Sequence, residues 1–230
     1  MRVIRLAILL IPAASSVFAQ QWETGLLGGG NFFNHVTATA PAGNATAGFA
    51  PGFAASVFIK ENMQRFTHLS GEVRYDYMKS DLRLSAAGQT AQFSGYSQAI
   101  HYDLVVHTNP RESRAQFFGL AGAGIKEFSG TGTEAAFQPL SQYGFFTKTR
   151  AVKPMISVGG GFTYKLGKNV LLRAEVQDFV TPFPTAVLTP PPGVKYGGWL
   201  NDIVPMVGIV YVLRPSASPG DPASATPQGK

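Results

Sequence analysis

In the stretch Leu69-Ser70-Gly71-Glu72-Val73-Arg74-Tyr75-Asp76-Tyr77 every second residue is apolar or glycine, and the residues between are Ser, Glu, Arg and Asp. Successive side chains of a β-strand point to opposite faces, so this run predicts a strand with one apolar and one ionic side. The division recurs at Val152, Ile156, Val158, Phe162, Tyr164 and Leu166, which stand against Lys153, Ser157, Thr163 and Lys165. It appears again where Tyr96, Ile100, Tyr102, Leu104 and Val106 oppose Ser97, His101, Asp103 and His107, and where Val170, Leu172, Ala174 and Val176 oppose Arg173, Glu175 and Gln177. Weaker segments at 22–33, 49–60, 115–126 and 203–213, rich in Gly, Ala and aromatics with mixed parity, bring the expected total to eight strands. Periodicity alone does not say which face is inside. A soluble barrel or sandwich turns its apolar face inward.

The connections between these segments alternate in length: 61–65, 109–113 and 167–169 are short, and 35–46, 79–91, 127–148 and 181–200 are long. Outer-membrane barrels have this asymmetry, with short periplasmic turns and longer extracellular loops. We therefore expect an all-β fold, an eight-stranded antiparallel up-and-down transmembrane barrel with periplasmic termini. The Pro- and Gly-bearing loop content, as in Ala40-Pro41-Ala42-Gly43-Asn44 and Thr189-Pro190-Pro191-Pro192-Gly193, predicts exposed, mobile loops. Aromatics near strand ends (Trp22, Phe32 and Phe33, Phe66, Tyr75 and Tyr77, Phe145 and Phe146, Tyr196 and Trp199) suit interfacial girdles.

Composition sharpens the picture. Charged residues make up 14% of the 230-residue chain and aromatics 12%, and a soluble domain averages roughly 25% charged, so something other than water covers part of the surface. The absence of Cys excludes disulfides, thiolate metal sites and a cysteine nucleophile. Residues 1–19 read as a signal peptide: a basic start with Arg2 and Arg5, the apolar run 6–12, and a small-residue ending at Ala19. Of 19 Lys and Arg, removing those two leaves 17 against 13 acidic residues, a scattered net +4 that does not suit nucleic acid. The barrel is expected over 20–214 and a disordered Pro/Ser-rich tail over 215–230.

The Gly-alternating Phe117-Phe118-Gly119-Leu120-Ala121-Gly122-Ala123-Gly124, the strand Arg173-Ala174-Glu175-Val176-Gln177-Asp178-Phe179 and the closing Val207-Gly208-Ile209-Val210-Tyr211 resemble the small OmpA-like outer-membrane β-barrel proteins. The resemblance covers about residues 22–214. It implies an eight-stranded barrel whose polar interior is mostly filled by side chains. The chain departs from that family in its ending, where Tyr211-Val212-Leu213-Arg214-Pro215 runs on to a tail rather than closing on an aromatic, and in having no folded peptidoglycan-binding domain after the barrel.

If the ionic faces point inward, Glu72, Arg74, Asp76, Asp103, Lys153, Arg173 and Glu175 meet in the lumen, where pairing offsets the desolvation each would suffer alone. A structural salt-bridge network is the preferred reading, ahead of a narrow pore, because an eight-strand interior is just wide enough for side chains. His68 and Ser70, at i and i+2, resemble the pairing in outer-membrane lipid A deacylases, although a surface histidine explains His68 more simply. His101 with Asp103 offers two metal ligands and lacks a third. Gly28-Gly29-Gly30 and Gly159-Gly160-Gly161 have no phosphate-loop context and suit curvature or close strand approach. No catalytic residue, cofactor or metal is expected. The expected partners are outer-membrane lipid and, during biogenesis, the barrel-assembly machinery, with the protein acting as a monomer. The preferred function is a non-enzymatic structural or surface-interaction role through the four long loops. A small-solute channel, a lipid-modifying enzyme and a secreted lipocalin-like soluble barrel are the alternatives.

Overall fold

The computed structural model describes residues 21–63, 66, 68–109 and 113–213. The expected signal peptide and tail lie outside the described residues, as do parts of two short turns. Eight long strands form a closed barrel: β1 (Gln21–Phe33), β4 (Gly52–Asn62), β5 (Leu69–Lys79), β8 (Gly95–His107), β9 (Ala115–Gly130), β11 (Arg150–Lys165), β12 (Val170–Pro182) and β15 (Trp199–Leu213). All neighbours run antiparallel, and β1 closes the ring against β15 from Trp22↔Leu213 to Phe33↔Asp202. The eight strands correspond to the eight read from the sequence, with shifted ends. Phe49 falls outside the second barrel strand, and the last strand begins at Trp199 rather than at 203.

The two faces are now assigned. Val73, Ile100, Val106, Ile125, Ile156 and Val158 stand outward, each at least half exposed, whereas Glu72, Arg74, Asp76 and Asp103 are fully buried inside. An apolar exterior around an ionic interior is what lipid favours and water opposes. The soluble lipocalin-like alternative, which needs the apolar face inward, is thereby overturned. Exposed rings extend the belt toward the long-loop end, where Tyr77 lies 5.8 Å from Phe53 and 5.7 Å from Tyr96, with Phe32 and Trp199 also exposed. Four residues expected in the girdle do not join it: Phe33 and Phe146 are buried, and Phe145 and Tyr196 lie in loop strands. Phe33 has the inward parity of Leu27 and Asn31, so the strand itself turns it away from lipid.

The long connections are also corrected. Rather than loose loops, they contain β2 (Val36–Ala40), β3 (Gly43–Phe49), β6 (Leu82–Ala86), β7 (Gln89–Phe93), β10 (Phe145–Phe146), β13 (Leu188–Thr189) and β14 (Lys195–Tyr196). A five-stranded sheet of order β14-β2-β3-β6-β7 and the small pair β10-β13 build a cap over that end of the barrel. The local chemistry explains both hairpins. In β2 and β3 alanines alternate with threonines, so Ala38, Ala45 and Ala47 are buried and Thr37, Thr39 and Thr46 face out. Between β6 and β7 the two-residue turn holds Ala87 at φ 48° and Gly88 at φ 77°, both in the left-handed region that a tight hairpin turn demands. The sheet's inner face joins Phe33, Phe49, Phe93, Phe128, Leu140, Phe146, Val187 and Leu200 in one apolar core. Phe49 is its hinge, with ring centroids 5.0 Å from Phe33 and 5.1 Å from Phe128. Tyr196 seals one side: its hydroxyl donates to the Tyr143 carbonyl at 2.9 Å, and burial pushes its phenol above the usual range.

Candidate functional site: the barrel lumen

Six of the seven lumen residues read from the sequence are fully or almost fully buried inside the barrel. Four of them close a ring. β5 carries Glu72 and Arg74, and β12, four strands round the barrel and therefore opposite and parallel to it, carries Arg173 and Glu175. Arg74 reaches Glu72 at 2.6 Å and also Glu175, while Arg173 reaches Glu72 and Glu175, each at 2.6 Å. Each guanidinium thus bridges its own strand to the opposite wall. Phe58 from β4 underlies both, 5.1 Å from the Arg74 Cζ and 4.5 Å from the Arg173 Cζ, and Phe118 backs Arg173 at 4.5 Å. Formal charge within the ring sums to zero, and every carboxylate accepts from both arginines, which is the condition under which buried ions are tolerated.

Glycines make this packing possible. A Cβ on Gly161 would stand 2.8 Å from the Cβ of Glu175 and 2.2 Å from the Ala174 carbonyl oxygen. One on Gly122 would stand 2.1 Å from Asp103 Oδ1. Gly161 and Gly122 therefore clear space on the inner wall for Glu175 and Asp103 of the neighbouring strands, the close strand approach that the run 159–161 suggested alongside curvature.

Toward the cap the lumen holds a second polar cluster. His101 faces Asp76 Oδ2 through Nε2 at 2.7 Å and Asp103 Oδ1 through Nδ1 at 3.0 Å. Ser157 donates to Asp103 as well. The His101–Asp103 pair considered as metal ligands is thus an internal ion cluster with Asp76 as its third member.

Lys153 is the exception among the seven. It has inward parity but is only half-buried, and among the described residues it has no ion-pair partner; directly across from it in register is another lysine, Lys126. Lys126 takes the role expected of Lys153: fully buried, it pairs with Asp202 at 2.5 Å and lies 5.0 to 5.3 Å from the rings of Phe33, Phe128 and Phe179. Of the two lysines in direct register, Lys126 is the one that pairs with a carboxylate among the described residues. The one with the aromatic box is held inside. Lys126 shares the inward parity of Gln116, Phe118 and Leu120, a signal interrupted in the sequence by Gly122 and Gly124.

At the short-turn end Ser70 is fully buried, but its partner is not His68. His68 lies ahead of β5, exposed, with Nδ1 on the His107 carbonyl at 2.9 Å. Ser70 Oγ instead donates to Asn62 Oδ1 at 2.7 Å and stands 3.3 Å from His107 Nε2. Asn62 in turn donates to Glu23 at 2.7 Å, and Glu23 pairs with Lys60 at 2.6 Å. Ser70 is part of a structural chain of hydrogen bonds, shut away from any lipid surface.

With this geometry in hand, comparison with known proteins places the architecture. No family profile matches the sequence, and no curated protein does. Solved structures do. The outer membrane protein OprG from Pseudomonas aeruginosa superposes with a TM-score of 0.57 at 10% identity, over 86% of this chain and 97% of that one. Neisserial surface protein A gives a TM-score of 0.50 at 12% identity, over 83% of this chain and 96% of that one. The fold is that of the small outer-membrane barrels. Within that fold, the features of this chain are the diametric charge ring and the folded cap, the latter not anticipated from the sequence.

Proposed function

We propose that the protein is an outer-membrane barrel that works without catalysis, its cap presented at the cell surface and its short turns facing the periplasm. The observation that carries this reading is the plugged lumen. Three successive layers cross it: the ring of Glu72, Arg74, Arg173 and Glu175 with Phe58 against it, an apolar layer that includes Met78, Met155 and Phe179, and the cap core. A pore needs a continuous wet path, and fully buried side chains crowd these layers, which supports a closed lumen. The outward features are then the ones that differ from a bare barrel. On the outer face of the cap sheet, Thr37, Thr46, Ser85 and Thr90 lie in direct register across β2, β3, β6 and β7. A flat polar face on a rigid core suits surface interaction.

Bilayer recording tests the reading. The purified barrel in planar lipid membranes should give no discrete openings at neutral pH, under conditions in which a porin control conducts. Stepwise conductance from the wild-type chain would favour the small-solute channel and overturn the proposal.

A further inference from the structure

The two edges of the cap sheet are unlike. At one, β14 is two residues long and carries Lys195, and the chain turns away at Gly198, φ 64°. A short, charged edge strand resists pairing with another chain. At the other, β7 (Gln89-Thr90-Ala91-Gln92-Phe93) has a neighbour on one side alone, β6. The two-residue turn at Ala87-Gly88 fixes which backbone groups β6 uses: Gln89, Ala91 and Phe93 exchange hydrogen bonds with Ala86, Leu84 and Leu82. The N–H and C=O groups of Thr90 and Gln92 therefore point away from the sheet, and among the described residues no hydrogen bond reaches them. Both side chains are exposed, and from 89 to 94 the strand has no charge, no proline and no bulge, the devices that ordinarily blunt an edge. The open stretch ends at Ser94, whose carbonyl accepts from the amides of Thr131 and Gly132 at 2.7 and 3.1 Å. The edge is also firmly backed. Ala91 and Phe93 are buried in the cap core, and the Phe93 ring lies nearly parallel to that of Phe146 at 5.6 Å. Gln138 brackets Phe146, donating to its carbonyl at 2.9 Å and accepting from its amide at 2.8 Å, and the preceding residue, Phe137, is 94% exposed.

We infer that the free edge of β7 is a docking site for an extended, uncharged segment of a partner protein, which joins the cap as a sixth strand. The groups on offer set the class of ligand: N–H and C=O alternating at strand spacing match the backbone of another strand. A neutral edge suits a neutral segment, and the ring of Phe137 offers an anchor for an apolar side chain beyond the paired stretch. Size separates a segment from a second copy of this chain. Five residues span about 17 Å, whereas a stable interface between folded proteins engages roughly 20–30 residues a side. The inference rests on the surface role proposed above for access alone, since the cap must face outward for a partner to reach it.

The probe is a capped, dye-labelled peptide of alternating threonine and valine, uncharged and strongly disposed to extend, titrated into the refolded full-length barrel in micelles. Its anisotropy should rise to saturation, and the amide resonances of Thr90 and Gln92 should shift and gain protection from exchange while those of β2 stay still. Thr90→Pro removes one outward donor and leaves the bonds to β6 in place, because an edge strand tolerates proline on its open side. The affinity should then fall at least tenfold, with the Ala47 and Leu84 amides unchanged as the report of an intact cap. The same peptide N-methylated at every amide, a control that leaves the protein untouched, should not bind. Absence of binding overturns the proposal, as does binding that does not saturate, that survives N-methylation or Thr90→Pro, or that leaves the Thr90 and Gln92 amides unmoved. Protection of both amides that grows with barrel concentration and without peptide gives the edge to a second copy and overturns the partner assignment. Conductance enters none of these readouts: a conducting barrel that binds the peptide removes the proposed function alone, and a closed barrel that does not bind it removes this inference alone.

Discussion

Arg74→Met is expected to destabilise the barrel by about 3–5 kcal/mol, the cost of leaving a buried ionic partner uncompensated. Arg74 is the tie between Glu72 on its own strand and Glu175 on the opposite wall. Without it, three charges remain, and Arg173 alone must serve two carboxylates at full burial. The measurement is the midpoint of guanidinium unfolding in micelles, read by the gel mobility of unheated samples and by tryptophan emission. Replacing all four members together, Glu72→Gln, Arg74→Met, Arg173→Met and Glu175→Gln, should recover most of the loss, because the desolvation penalty leaves with the charges. If the single variant matched wild type, the ring would be an incidental arrangement; if the quadruple variant were worse than the single, the ring would be contributing net stability instead of being a tolerated cost.

Phe49→Ala should cost the cap about 3–5 kcal/mol by the usual toll of truncating a buried phenylalanine, while leaving the barrel intact. Phe49 ends β3 and stacks between Phe33 and Phe128, two of the barrel-strand residues that enter the cap core. The effect is therefore local. Amides of Ala38, Ala47 and Leu84 should exchange far faster, and protease should cut within 35–46 and 79–91, with amides of β8 and β9 unaffected. A barrel that lost its heat-dependent mobility along with the cap would show that the two are one cooperative unit, against this expectation.

The two predictions fall on parts of the molecule that differed sharply in how well the sequence revealed them. The strand 69–77 was legible because its alternation is local: each residue's face follows from its neighbour's, and both charges of β5 that enter the ring sit on one parity. The cap was not legible for the opposite reason. Half of its buried positions in β2 and β3 are alanines, Ala38, Ala45 and Ala47, too small to stand out from the glycine, proline and threonine around them, and its core draws on four separate connections. Turn-like composition there marks tight hairpins, not slack chain. In the lumen, which residues face inward could be read, but which of them meet could not. His107 displaces His68 at Ser70 from a strand 37 residues away, and Lys126 displaces Lys153 through a carboxylate 76 residues away. Such choices are made by register between strands, and register is a property of pairs.

The order of charges along the ring has a consequence for how the barrel closes. Strand β5 reads acid then base toward the cap, and β12 reads base then acid, so that opposites face each other at both levels across the lumen. Slide either strand by two residues, the smallest slip that keeps every side chain on its own face, and Glu72 would meet Glu175 or Arg74 would meet Arg173. The ring thus works as a two-tooth key: it fits one alignment of the opposing walls and repels the nearest wrong ones, so a cylinder assembled strand by strand is checked across its full diameter at the moment it shuts.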